Sequence, residues 1–390
     1  MSSFSPSFRS PVLIGLAGAA AMAGAMGFGR FIYTPILPGM IAGVPVSAAD
    51  AGTIAAGNFA GYLAGAWVSA YGWAAGRERK VALGALLATV LLLAAMGMTT
   101  SLAAFTVIRF LAGLTSALAM IFTSSIVLTH AAGRPLVNVL HFGGVGAGIT
   151  LSSVLVVVVN AMAGDAAHGW RLDWFAAAGV TFFIFLFVQR MLPEPHRDAA
   201  QTIEPPLVWR LPWVLITLSY GLYGFGYVIT ATFLVTIARM GNTGPMVEFL
   251  AWFVAGCAAA VSLAAWYPLV RRFGLSSVYL AAIGLLFVGV LASVELPPTV
   301  GTLIGGLLLG ATFMVITAFG LQIGRKLAPQ SPRRAIAVLT AAFGVGQIVG
   351  PLVAGFVAQR SGSFAAPSLL AAAVLVVVGL LTLPLVRARV

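Results

Sequence analysis

An all-α integral membrane protein, with twelve transmembrane helices in two six-helix halves, is the fold class that this 390-residue chain predicts. Three observations predict it. Hydrophobic residues make up 61% of the chain and charged residues only 8%, against about 25% charged in soluble domains. Uncharged runs long enough to cross a bilayer, about 20 residues each, recur along the whole length. One long polar interval, Pro193 to Leu211, divides those runs six and six. The spans are helical because lipid leaves no partner for an open backbone, and the runs far exceed a barrel strand.

The first span, Pro11 to Pro38, holds Gly27-Phe28-Gly29-Arg30-Phe31-Ile32-Tyr33-Thr34-Pro35, and Arg30 is the only charge between Ser10 and Ala49. A guanidinium in hydrocarbon costs at least ~2.5 to 3.5 kcal/mol, so Arg30 is expected to face a cavity or a partner. The second span, Asp50 to Trp73, carries Asn58 and a ridge of Gly57, Gly61 and Gly65 suited to close helix packing. The third is Val81 to Met98. The fourth, Leu102 to Thr129, contains Arg109, and the fifth, Val137 to Asn160, contains His141. The sixth is Arg171 to Leu192. In the seventh, Pro212 to Ile237, Tyr220, Tyr223, Tyr227 and Thr230 fall on one helical face. The eighth, Met246 to Val270, holds Cys257, the only cysteine, which rules out intrachain disulfides and cysteine metal clusters. The ninth is Leu275 to Ser293 and the tenth Thr299 to Gly324. The eleventh, Ala335 to Ala358, carries Gln347 within a glycine-rich run from Gly344 to Gly350; no strand precedes that run, so it is not a dinucleotide fingerprint. The twelfth is Phe364 to Val386.

The domain organisation follows as an N-terminal half (1–192), a linker (193–211) and a C-terminal half (212–390). The halves read as copies. Gly27-Phe28-Gly29 matches Gly224-Phe225-Gly226, and the same interval separates Gly113 from Gly310. Gly144-Val145-Gly146 and Gly344-Val345-Gly346 agree at a nearby offset. Tyr227 stands in the repeat where Arg30 stands in the first half.

Orientation follows from lysine and arginine. With the N-terminus inside, only Arg171, Arg239 and Arg360 fall outside, and Arg30 and Arg109 fall within spans; the rest are cytoplasmic. The net charge of +12 is then a topology signal, and a nucleic-acid partner is not expected. Arg9 followed by an alanine-rich apolar run resembles a secretory signal, but its removal would leave an odd span count and spoil the charge asymmetry.

In its motifs the whole chain resembles the major facilitator superfamily, and within it the bacterial YbfB/YjiJ-like group, whose members open with a segment like that at Gly27 to Pro35. The runs Asn58 to Gly65 and Arg109-Phe110-Leu111-Ala112-Gly113 support the resemblance, as does Gly346-Gln347-Ile348-Val349-Gly350-Pro351. The chain departs from the superfamily after the second span, where Gly76 stands in place of an aspartate. The resemblance implies two halves that rock around a central cavity lined by the first, fourth, seventh and tenth spans.

Both arginines are expected about 12 Å below the outer surface, from their distance to the expected span ends. All nine acidic residues are placed in loops or at span ends, leaving no buried carboxylate for either guanidinium. Two unpaired guanidiniums would hold a carboxylate or phosphate; the alternative for Arg109 is a bond to a neighbouring helix's carbonyls. Arg30, Tyr33, Asn58, Arg109, Tyr223, Tyr227 and Gln347 are the candidate substrate-binding residues. The span-seven hydroxyls either face the substrate or bond to backbone, and Asn58 and Gln347 either bind it or join helices. His141 is the candidate proton carrier, or a hydrogen-bonded structural residue. No catalytic group, cofactor or metal is expected.

The function expected is secondary active transport of a small, carboxylate-like organic anion, coupled to protons, by a monomer in the bacterial cytoplasmic (inner) membrane with both termini cytoplasmic. Its partners are that anion and the lipid bilayer. Drug or metabolite efflux is the alternative. A membrane-embedded enzyme is a remote third reading, since no metal cluster, nucleophilic triad or carboxylate pair is present.

Overall fold

The computed structural model describes residues 10–130, 134–163, 166–195 and 204–388. His196, Arg197, Asp198 and Gln201 of the expected linker lie outside the described residues, as do Arg9, Asp165 and Arg389. The described residues form helices joined by short turns: α1 (Pro11–Gly43), then α2 (Ala48–Ser69), α3 (Glu78–Met98), α4 (Leu102–His130), α5 (Pro135–Ala163) and α6 (Ala166–Met191). After the linker come α7 (Leu211–Met240), α8 (Pro245–Phe273), α9 (Leu275–Glu295), α10 (Pro298–Leu327), α11 (Pro332–Ser361) and α12 (Ala365–Arg387).

Eleven of these helices are long and apolar enough to cross a membrane. The remaining one, α2, has 22 residues rich in glycine and alanine and carries Asp50 and Asn58. Its composition follows from its position. It is packed against α4 on one side and α11 on the other, where small residues allow close backbone approach and lipid-facing leucines are not needed. Gly61 and Gly113 show how close: a Cβ on either would run into the backbone of the facing helix, at Phe110 and Asn58 respectively.

Three helix ends depart from the sequence expectation by four residues or more, one of them the start of α6 at Ala166 rather than Arg171. α2 stops at Ser69 rather than Trp73, and α1 continues past Pro38 to Gly43. Pro38 removes one helical hydrogen bond, but this part of α1 is held between α6 and α7, which allows the rod to continue. The start of α2 is set by a capping box, in which Asp50 N donates to Ser47 Oγ (3.1 Å) and Ser47 N donates to Asp50 Oδ2 (3.0 Å).

Within the first six helices the main contacts are α1 with α5, α2 with α4, and α3 with both α4 and α6. In the last six they are α7 with α11, α8 with α10, and α9 with both α10 and α12. Each pairing in the second set is one from the first with six added to both numbers. Bridging the sets are α2 with α11, α5 with α8, and the C-terminal part of α1 with α7.

The exterior is apolar, with Leu91, Val107, Phe183, Val261 and Leu380 all more than half exposed. Such a surface calls for lipid rather than water. Association of the helices therefore relies on packing and interhelical hydrogen bonds, each of roughly 0.6 to 2 kcal/mol. Ser153 Oγ donates to Phe249 O (2.9 Å) between α5 and α8. Trp67, Tyr71, Trp73 and Trp209 are exposed beside the basic residues of one end, as an interfacial aromatic belt would be.

Candidate functional site

The centre of α1 is not α-helical. Ala23–Phe31 winds as a π-helix, a rare wide winding found frequently at functional sites. Its glycines admit a close neighbour: Gly27 and Gly148 of α5 meet backbone to backbone, leaving no room for a Cβ on either. Arg30 sits near the end of this segment and, because α1 runs on to Gly43, lies deeper in its rod than the distance to Pro38 suggested.

Arg30 and Arg109 are neighbours, joined through backbone rather than by the depths estimated from the span ends, and their roles differ. Arg109 donates from Nη1 to Gly29 O (3.0 Å) and from Nη2 to Arg30 O (2.7 Å). Its fork thus bonds two adjacent carbonyls near the end of the π-helical segment. This corrects the expectation of two unpaired guanidiniums. Arg30 is only 4% exposed, and its Nε and Nη2 have no hydrogen-bond partner. Its guanidinium lies over three rings instead, Tyr62 at 4.3 Å, Phe59 at 4.6 Å and Phe31 at 5.4 Å.

A small cavity opens beside it, lined by Arg30, Phe31, Tyr33, Thr34, Arg109 and residues of α2 and α7. Tyr33 donates its hydroxyl to Ala51 O (3.0 Å), and Thr34 Oγ1 donates to Ala231 O (2.7 Å), which ties α1 to α7. A second cavity shares Phe31 and Ala231 with the first and is otherwise lined by Tyr227, Phe313, Trp252, Ile149, Ala255 and Leu309. Each holds about 10 Å³, roughly the room for one water molecule. Neither cavity in this conformation has room for an organic molecule.

The other candidates divide. Tyr227 lines the second cavity, and its hydroxyl accepts from Gln347 Nε2. Tyr223 donates to Phe313 O (2.7 Å) and Tyr220 to Thr317 O (3.0 Å), so these two hydroxyls join α7 to α10. Asn58 Nδ2 donates to Arg109 O (2.9 Å), joining α2 to α4. Tyr223, Asn58 and Gln347 therefore stand behind the cavity walls rather than in them. His141 is fully buried, with Nε2 2.8 Å from Ser124 Oγ. It packs beside Gly18, about twelve residues and roughly 18 Å along α1 from Arg30; the structure does not bring the two together.

One acidic residue also departs from expectation. Asp173 is buried within α6, and its Oδ1 has no hydrogen-bond partner. The sequence placed it at a span end, and the deeper setting comes from α6 beginning at Ala166. Among the described residues no carboxylate pairs with Arg30 or Arg109; Glu248 pairs with Arg239 and Glu194 with Arg79. Phe31, Phe59 and Tyr62, which hold Arg30, and Phe313 and Trp252 were not singled out as site residues from the sequence. The spacing of Phe59 and Tyr62 places them on one helical face, but nothing in the sequence set that face beside Arg30.

A bundle of long apolar helices with a lipid-facing exterior and a buried cation at its centre is a multi-pass membrane protein. The chain belongs to the family described as "Uncharacterised MFS-type transporter YbfB", whose family model matches residues 22–383. No curated protein matches the sequence. Among solved structures, the nucleoside transporter NupG superimposes with a TM-score of 0.73 at 13% identity, covering 96% of this chain and 98% of that one. A bacterial homologue of the human lysosomal transporter Spinster, solved inward-facing and unoccupied, gives 0.72 at 12% identity, over 99% and 98%. The human organic anion transporter MFSD10 gives 0.63 at 17%, over 97% and 100%. At these identities the likeness shows the fold. The family and these structural neighbours are transporters, not enzymes.

Proposed function

We propose that this transporter carries a small organic anion across the bacterial cytoplasmic membrane by alternating access, twelve spans working as two six-helix halves that rock about the level of Arg30. The observation that carries the reading is Arg30, a buried guanidinium with two unpartnered nitrogens beside a cavity that reaches α7. Neighbours of the fold include a nucleoside transporter and an organic anion transporter, so fold alone does not choose between substrates. A cation that lacks a carboxylate partner among the described residues favours an anion. The repeated helix pairing supports the division into halves at the linker. Uptake into vesicles reconstituted with the purified protein tests the reading. Accumulation of a labelled carboxylate supports it, and accumulation of cationic drugs alone sinks it. Efflux of amphipathic molecules remains the second reading, favoured by the ring-lined second cavity.

The charge asymmetry supports cytoplasmic termini. Cysteines placed in the loops at Gly76 to Lys80 and Gly324 to Arg334 of a Cys257→Ser protein are expected to label only in permeabilised cells. Labelling of intact cells from outside would reverse the topology.

Coupling follows from where a proton can sit. His141 is far from the cavity and bonded to Ser124, and the buried Asp173 belongs to α6, which lines neither cavity, so a proton moving with the substrate is expected to ride mainly on the substrate's own acid group. His141→Gln is expected to alter the pH profile of uptake without eliminating accumulation driven by a proton gradient. A folded variant that exchanges substrate but no longer accumulates it would assign the proton to His141.

A further inference from the structure

We infer that the site takes a monocarboxylate with a planar apolar body, an aromatic acid in its simplest form; this rests on the organic-anion reading above and narrows it.

The head group follows from counting the charges that are free. Two cations line the first cavity, Arg30 and Arg109. Arg109 has committed both ends of its fork to the carbonyls of Gly29 and Arg30. That leaves Arg30, whose Nε and Nη2 are unpartnered and can be taken together by one carboxylate. A dicarboxylate or a phosphate would bring a second negative charge into the buried site with no cation to meet it, and an unpaired buried charge is strongly disfavoured.

The body follows from the second cavity, which joins the first at Phe31 and Ala231. Its only side-chain hydroxyl belongs to Tyr227, which accepts from Gln347 and keeps its own proton to donate; the Trp252 indole Nε1 is buried and unpartnered. These two donors could meet one acceptor atom on the substrate, and further polar substituents would exchange water for an apolar wall. The walls are also flat. Tyr227 lies parallel to Phe313, with centroids 6.1 Å apart, and to Phe343 at 5.6 Å, both at 3°. Parallel ring faces suit another ring, stacked or edge-on. Phe31 meets Phe313 edge to face at 5.9 Å, across the join between α1 and α10. Loading would part that contact and leave rings on both sides of the guest.

Equilibrium binding to the purified full-length protein tests this, read by tryptophan fluorescence and by thermal shift. The probes are benzoate, phenylacetate, benzamide, acetate, succinate, inorganic phosphate and tetraphenylphosphonium. Benzoate or phenylacetate is expected to bind roughly tenfold or more tightly than acetate, succinate, phosphate and neutral benzamide. Arg30→Gln is expected to weaken the aromatic acid by roughly tenfold or more. Leu309→Ala, which enlarges the second cavity, is expected to shift preference toward 2-naphthoate. Acetate matching benzoate, or no response to either aromatic acid at millimolar concentration, would overturn the proposal. Tighter binding of succinate or phosphate, lost in Arg30→Gln, would overturn the substrate class while leaving the anion site standing. Binding of tetraphenylphosphonium alone, unchanged in Arg30→Gln, would overturn the anion site as well.

Discussion

Replacing Arg30 with glutamine is expected to abolish substrate accumulation while the protein still folds. The side chain has two buried nitrogens without hydrogen-bond partners and makes ring contacts in their place. Those contacts contribute about 2 kcal/mol or more each when desolvated, but the substitution also removes a buried charge with two unpartnered nitrogens, whose burial is costly, and a glutamine amide retains part of the packing. The thermal midpoint should therefore move little. A charge-assisted bond to a bound anion contributes roughly 1.5 to 3 kcal/mol, which is about tenfold to a hundredfold in affinity. Arg30→Lys should recover little, because an ammonium cannot present the planar fork. Vesicle uptake measured beside a melting curve separates the two effects. A folded glutamine variant with unchanged substrate affinity would make Arg30 structural and remove the main support for the anion reading.

Arg109→Leu is expected to act in the opposite sense, on stability before affinity. The substitution would strip partners from the carbonyls of Gly29 and Arg30. Leaving two buried acceptors unsatisfied costs about 1 to 3 kcal/mol each, and the wide turn they belong to is the segment that places Arg30. A marked fall in the melting temperature in detergent, with aggregation on gel filtration, is the expected result. Arg109→Lys should rescue only partly, since one ammonium cannot span both carbonyls as the fork does. If Arg109→Leu melts like the parent protein and has lost only substrate binding, then Arg109 belongs to the ligand and the charge count of one free cation fails.

These two arginines show where sequence reading stops. Both were visible because a charge in an apolar run is costly wherever the chain goes. Which one bonds to backbone was not visible. That depends on the π-helical winding of Ala23–Phe31, set by close contact with α5, a helix more than a hundred residues away in the chain. The tyrosines of α7 were legible as one face by spacing, yet periodicity does not say what that face meets. Tyr223 and Tyr220 meet carbonyls of α10, while Tyr227 reaches a cavity. Asp173 was read as a span end because charges flank apolar runs, and the extension of α6 to Ala166 placed it in the interior.

Lipid is a uniform solvent that acts on each segment separately, so apolar runs, their lengths and the basic residues between them determined the membrane class and the approximate spans, and singled out Arg30 as a costly charge, from sequence alone. Partnership is a property of pairs of helices. Only their packing decided that Arg109 supports the wide turn, that Arg30 keeps two nitrogens free, and that rings from α1, α7, α8 and α10 surround the space beside it.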